Sequence, residues 1–135
     1  MTAQDTTGVH AVHVPPHAII DAQISAVLDD LPVSTVKTGM LGSPETMRLV
    51  AERLGHLPLG VDPVLVATSG AVLGDGAVRT AYVDCLLPVA AVITPNLDEA
   101  RSLLGTHGAP EELAAQLSAS GPAVVVTGGP GDSAT

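Results

Sequence analysis

Apolar residues recur along this chain in two rhythms, one helical and one of short continuous runs. In "PPHAIIDAQISAVLDD" (15–30), Ile20, Ile24, Val27 and Leu28 fall at helical spacing, and Pro16 suits a first turn. "VSTVKTG" (33–39) is β-branched and closes on a glycine, which predicts a strand. "SPETMRLVAERL" (43–54) opens with Ser43 as N-cap, Pro44 at the first helical position and Glu45 in the first turn. Its predicted buried stripe is Met47, Val50, Ala51 and Leu54. A strand "LGVDPVLVA" (59–67) carrying one acid follows, then a helix over 77–87 with Val78, Tyr82 and Cys85/Leu86 on one side. The remaining elements are a strand at 90–94, helices at 97–105 and 110–121, each closed by a glycine, and a strand at 123–127. Short apolar strands separated by helices predict right-handed crossovers in a parallel sheet, an α/β fold of the three-layer Rossmann-like kind. The chain begins at "TAQDTTG", loop-like in composition and with no preceding strand. The chain stops at "GGPGDSAT", directly after a strand, so both ends are expected to be cut within a larger sheet.

Composition narrows this pattern. The 135 residues suffice for one compact domain with a core. Tyr82 is the only aromatic residue, so that core must be built from Val, Leu, Ile, Ala and Met. A formal charge of −9 argues against nucleic-acid binding, because such a surface repels phosphate backbones. It leaves a nucleotide ligand open, since helix N-termini and Mg²⁺ neutralise phosphates without many lysines. The single cysteine, Cys85, lies in an apolar run, excludes an internal disulfide and reads as a buried inert thiol in a reducing compartment. The N-terminus lacks signal-peptide character. "CLLPVAAVI" is half of the roughly 18 apolar residues that a membrane span requires, so a cytoplasmic protein is expected. His10, His13, His17, His56 and His107 are scattered without ligand spacing and read as solvated surface.

In open parallel sheets ligands bind beyond the carboxyl ends of the strands. Those ends read Lys37-Thr38-Gly39-Met40, Asp62-Pro63, Thr94-Pro95-Asn96 and Thr127-Gly128-Gly129. Together they offer an ammonium, a carboxylate, an amide with a glutamate one turn on, and bare backbone N–H groups. That mixture suits a phosphorylated ligand with Mg²⁺, although strand ends are polar wherever they meet water. Asn96 and Glu99 have the spacing of an N-cap and its N3 partner, so on spacing alone a helix cap is the first reading. Lys37 reads first as an ion-pair partner.

Four segments resemble, in order and register, the hydroxymethylpyrimidine/phosphomethylpyrimidine kinases of the ribokinase-like superfamily. They are "TVKTGMLGSPE" (35–45), "VDPVLVATSGAVL" (61–73), "LLPVAAVITPNLDEA" (86–100) and "VVVTGG" (124–129). "TAQDTTGVHAVHVPP" is similar to the family's N-terminal "TAQNT-GV" segment. The resemblance implies ATP-dependent phosphorylation of 4-amino-5-hydroxymethyl-2-methylpyrimidine or its monophosphate in thiamine biosynthesis, with Mg²⁺. It implies ATP contacts at Asn96, Glu99, Thr127, Gly128 and Gly129, and metal contacts at Asp62 and Glu99. On the substrate side it implies Gln4, Met40 and Val64: an amide can read both donors and acceptors of an aminopyrimidine edge, and Met packs softly on its face. Many relatives carry Lys at the position of Thr127 and Asn at that of Asp5. "VKTGML" and "VATSG" weigh against another ribokinase-like kinase, such as a pyridoxal kinase.

Two further family motifs do not occur in residues 1–135: a glycine-rich "G-x-D-x-S-G-G-A-G" substrate loop, and a "G-T-G-C-T" segment that forms an anion hole and carries the base. Two readings follow. Either the chain is the central segment of a pyrimidine kinase, or it is a non-catalytic ligand-binding or interaction module. Exposed edges of such a short sheet invite self-association into a homo-oligomer.

Overall fold

A computed structural model describes residues 1–65 and 76–128. Strand β1 (Thr2–Gln4) and strand β2 (Val9–Val12) form an antiparallel hairpin, followed by helix α1 (His17–Asp30). Strand β3 (Val36–Thr38), helix α2 (Pro44–Leu54) and strand β4 (Leu59–Val61) come next. Helix α3 (Gly76–Ala81) runs into a π turn (Tyr82–Leu86) and a 3₁₀ turn (Leu87–Val89). Strand β5 (Val92–Ile93), helix α4 (Leu97–Leu104), helix α5 (Pro110–Ser118) and strand β6 (Ala123–Val124) complete it. The four later strands form one sheet in the order β3-β4-β5-β6, parallel throughout, as the strand–helix alternation predicts.

The pairing register puts Thr38, Val61, Ile93 and Val124 in one row across the sheet. The ladder continues one residue further: Asp62 donates its N–H to Thr38 O at 3.1 Å, Thr94 to Val61 O at 3.0 Å, and Val125 to Ile93 O at 3.0 Å. Asp62 and Thr94 are therefore set one residue beyond a shared row of hydrogen bonds, and Asn96 and Thr127 three residues beyond it. Pro63 and Pro95, both fully buried, then end the exits of β4 and β5 because they have no N–H to offer a ladder.

The core is aliphatic apart from Tyr82. Met47, Leu59, Leu86, Ile93 and Leu113 are completely buried, and Val61, Leu65, Ala100 and Leu117 join the same cluster. Helix α2 starts as its sequence predicts, with Ser43 Oγ accepting from Thr46 N–H at 3.2 Å and Pro44 at the first position. Its buried stripe includes Met47, Val50 and Leu54, but Ala51 is only half-buried and Thr46 and Leu49 are buried instead.

Two expectations are corrected, for the N-terminus and for the helix over 77–87. The N-terminus forms a hairpin although its composition is loop-like, because turn chemistry replaces hydrophobic patterning. Asp5 Oδ1 accepts from Thr7 N–H at 2.7 Å, from the Thr7 hydroxyl at 2.6 Å and from Gly8 N–H at 3.0 Å. Its Oδ2 meets His10 Nε2 at 2.8 Å, so this histidine is exposed but paired. In α1 no residue is buried: Val27 is exposed, and Ile20, Ile24 and Leu28 are half-buried, because the helix packs along one side only. The helix expected over 77–87 gives way at residue 82, where Leu87 N–H reaches Tyr82 O. Pro88 has no N–H for the carbonyl of Asp84, and the wider turn accommodates its ring.

The hydrogen bonds from Thr7 and the pairing with His10 hold the Asp5 carboxyl well below the usual carboxylate range. A carboxyl depressed in the folded state contributes stability above its unfolded value of 3.8, and loses it as pH falls towards the folded value. Asp5→Ala is expected to open the hairpin locally. Amide exchange at residues 9–12 should accelerate while the global melting temperature stays within about 1 °C, since exposed substitutions of this kind stay local. Unchanged exchange would show that strand pairing alone holds the hairpin.

Candidate active site

Asp62, Asn96 and Glu99 are brought to the carboxyl end of the parallel sheet. Asn96 caps α4, with its Oδ1 accepting from Glu99 N–H at 2.9 Å. Glu99 Oε2 accepts in return from Asn96 N–H at 2.9 Å. The reciprocal box satisfies two helix-terminal donors. It also does something a surface cap does not: Glu99 is only 4% exposed. Burial pushes its carboxyl above the usual range, against the Asn96 and Leu65 backbones that favour the anion, and the charges of Asp62 and Asp98 add to the rise. The sequence spacing shows the cap but not this burial.

Asp62 lies half-buried, and its Oδ2 receives Lys37 Nζ at 3.1 Å. Lys37 is thus an ion-pair partner, as its sequence reading has it. With the lysine side chain 71% exposed, the pair contributes little stability and leaves the ammonium accessible. An isolated bridge joins Asn96 to Thr127, and Thr127 donates its N–H to Pro95 O at 2.9 Å. That contact sets the last strand end beside the Asn96 cap. Thr127 and Gly128 are exposed there, and Gly129 lies outside the described residues. The residues of "VDPVLVATSGAVL" from 66 onward lie outside them too.

The expected substrate residues are less closely gathered. Met40 lines a cleft of about 200 Å³ together with Val12, Val14, Ile20 and Leu41, under the β2 end of the hairpin. Gln4 is exposed on β1 of that hairpin, and Val64 is half-buried two residues after Asp62; neither is a wall of this cleft. Cys85 is half-buried. Sequence reasoning placed Tyr82 only on a helix face. The structure puts it among the buried core residues, where the carboxylates of Glu99 and Asp62 act on its hydroxyl. Its being the chain's single aromatic residue was the available signal.

The arrangement offers phosphate chemistry: two carboxylates at adjacent strand ends, an amide cap, a cation and exposed backbone at the fourth strand. The sequence pattern of phosphomethylpyrimidine kinase matches residues 1–135, the whole chain. The chain belongs to this kinase family. Over 107 residues it is 47% identical to the hydroxymethylpyrimidine/phosphomethylpyrimidine kinase of Synechococcus elongatus, covering 78% of this chain and 41% of that protein. The crystal structure of phosphomethylpyrimidine kinase from Clostridium difficile 630 matches with a TM-score of 0.82 and 35% identity, over 97% of this chain and 60% of that one. Bacillus subtilis pyridoxal kinase, solved as an ADP complex, matches with a TM-score of 0.78 and 29% identity, over 94% of this chain and 49% of that one. The fold is thus ribokinase-like, and the chain spans less than half the length of the curated kinase it matches. Among the described residues no helix is long and apolar enough to cross a membrane.

Proposed function

We propose that this chain carries the Mg²⁺-phosphate end and the substrate hairpin of a kinase that phosphorylates 4-amino-5-hydroxymethyl-2-methylpyrimidine or its monophosphate with ATP in thiamine biosynthesis. The observation that supports this most directly is the buried Glu99 in its reciprocal box with Asn96, set beside Asp62 at the sheet's carboxyl end. Phosphoryl transfer asks a protein mainly for positioning and for charges aimed at the phosphates.

The donor set fits Mg²⁺, which takes one or two carboxylates and completes its shell with water and substrate phosphate oxygens. Among the described residues no group of three or more His, Cys, Asp or Glu side chains could cage a resident metal, so the ion would enter with the nucleotide. Asp62 and Glu99 would hold it, and bound there it would neutralise phosphate charge. Asn96 orients Glu99 through two hydrogen bonds, and Lys37 holds Asp62 in place. Thr127 and Gly128 would present backbone to the phosphates, with Gly129 beside them; the hydroxyl of Thr127 adds no cation. Gln4, Met40 and Val64 would meet the pyrimidine. The anion-hole motif does not occur within residues 1–135, so the expected contribution of this segment is binding, and turnover by it alone is not expected.

Calorimetric titration of the chain with Mg²⁺·ADP tests this reading. Asp62→Asn is expected to weaken binding by about tenfold, the loss of one charge-assisted contact. Binding that is unaffected by Asp62→Asn would place the nucleotide elsewhere and overturn the assignment.

A further inference from the structure

Acidic residues outnumber basic ones by 14 to five in this chain, so a cation finds a carboxylate almost anywhere on its surface. Lys37 and Arg53 do so, at 3.1 and 2.6 Å. Arg79 does not: among the described residues it pairs with no acid. Arg101 has one acid in reach, Asp98, at 3.4 Å, and its buried Nε has no partner among the described residues. Both arginines line one cavity of about 630 Å³ between α3 and α4. That volume is within the range of small-molecule sites, and well above the 200 Å³ or so at Met40. Two of the five cations of a chain with a formal charge of −9 thus share a single cavity.

The cavity is built from a regular element. Asp98, Arg101, Ser102 and Gly105 line it from α4 and its cap, three and four residues apart as one helix face requires. Arg79 reaches across from α3 and donates its Nη1 N–H to Ser102 O at 3.1 Å. Gly105 closes α4 with a φ of 66°, and a Cβ there would stand 2.9 Å from Arg79 Nη1. The missing side chain lets the guanidinium lie against the helix end. A cation near the last carbonyls of a helix has a capping role. Yet the fork carries five N–H donors, and the geometry suits phosphate oxygens. The loop after α4 adds Thr106 and His107 to the walls, and Leu65 adds an apolar one. Asp62, Asn96, Glu99 and Thr127 are not among the walls.

We propose that this cavity is a second anion site, which takes a phosphate group of a small molecule on Arg79 and Arg101. It is separate from the strand-end site and stands whether or not nucleotide binds there. Arg79 is held in place by Ser102 O and the bare Gly105, so little side-chain freedom is lost on binding. The anion competes with Asp98 for Arg101. That contact is long, and the Asp98 side chain is 73% exposed, so giving it up costs little.

A nuclear magnetic resonance titration of the full chain with inorganic pyrophosphate, in the presence of EDTA, tests the proposal. Chelation silences binding that depends on Mg²⁺ at the strand ends. Saturable shifts are expected at the amides of Arg79 and of residues 101–107. Arg79→Gln should weaken pyrophosphate binding about tenfold, the loss of one charge-assisted contact. Asp98→Asn removes the competing carboxylate and should tighten it about threefold, while Asp62→Asn should leave it unchanged. Phenyl phosphate binding tighter than inorganic phosphate would assign an organic phosphate to the site, and equal binding the free ion; either upholds an anion site. A cation that only caps the helix gives another pattern: Arg79→Gln melts lower, and neither it nor Asp98→Asn alters pyrophosphate affinity. That pattern, or shifts confined to residues 62, 96–99 and 127–128, overturns the proposal. Should Arg79→Gln fail to fold, Asp98→Asn still decides, because it leaves both arginines in place and an unchanged affinity refutes the site.

Discussion

Ile93→Ala is expected to destabilise the fold by about 2–5 kcal/mol, a large share of the roughly 5–15 kcal/mol available to a domain of this kind. Ile93 has no exposed surface and lies in β5, between β4 and β6 in the middle of the four-strand sheet. Deleting three carbons there removes their transfer energy and leaves a cavity. Only Tyr82 in this core carries an aromatic ring, and β5 is two residues long and paired on both sides, so its backbone has little room to close the gap. Urea unfolding should show the midpoint fall sharply, while Val92→Ala, half-buried on the other face, should cost less than about 1 kcal/mol. Equal effects at 92 and 93 would contradict the orientation of the strand.

The second large effect concerns Glu99, where stability and ligand affinity should move in opposite directions. Burial raises this carboxyl in the folded state above its ordinary 4.5. The folded chain therefore holds a proton there that the unfolded chain releases more readily. Stability linked to Glu99 is complete below pH 4.5 and is lost as pH rises through the folded value. Glu99→Gln removes the titration but keeps an oxygen to accept from Asn96 N–H. The variant is expected to exceed wild type in urea midpoint at pH 8, with the gap closing as pH falls towards 4.5, and to bind Mg²⁺·ADP on the order of tenfold more weakly. Glu99→Ala, which loses the box as well, should lose about 1 kcal/mol relative to the glutamine variant at neutral pH. A glutamine variant less stable than wild type at pH 8 would show that the glutamate is anionic and well compensated in the fold.

Local chemistry made part of this structure legible. Ser43, Pro44 and Glu45 mark the start of α2 because each satisfies or tolerates a helix-terminal group, and that requirement is local. The centres of β3 to β6 were equally readable, but their lengths were not: the run at 59–67 is regular strand only at Leu59–Val61, and 123–127 only at Ala123–Val124. Hydrophobicity reports burial, whereas a strand also needs a partner ladder, and buried prolines 63 and 95 end it. The hairpin at Thr2–Val12 escaped for the opposite reason, since both its strands are largely exposed and Asp5 supplies the organising hydrogen bonds. At the site, Asn96 and Glu99 were identifiable as a pair. Whether they cap a helix or serve a ligand depends on the burial of Glu99, and that comes from how α4 packs on the sheet. Tyr82 was visible as an oddity, but only Pro88 hints at the π turn that it begins.

The row formed by Thr38, Val61, Ile93 and Val124 has a consequence for how such a protein can change over time. Asp62, Asn96 and Thr127 stand one to three residues past that row, so the register is settled before the chemistry begins. A replacement at an outlying tip, such as Thr127, alters what the molecule can hold without reaching the pairing that makes it a molecule at all. Drift at those tips goes unpunished by folding, and a lineage can lose or retool its reagent while its architecture remains recognisable.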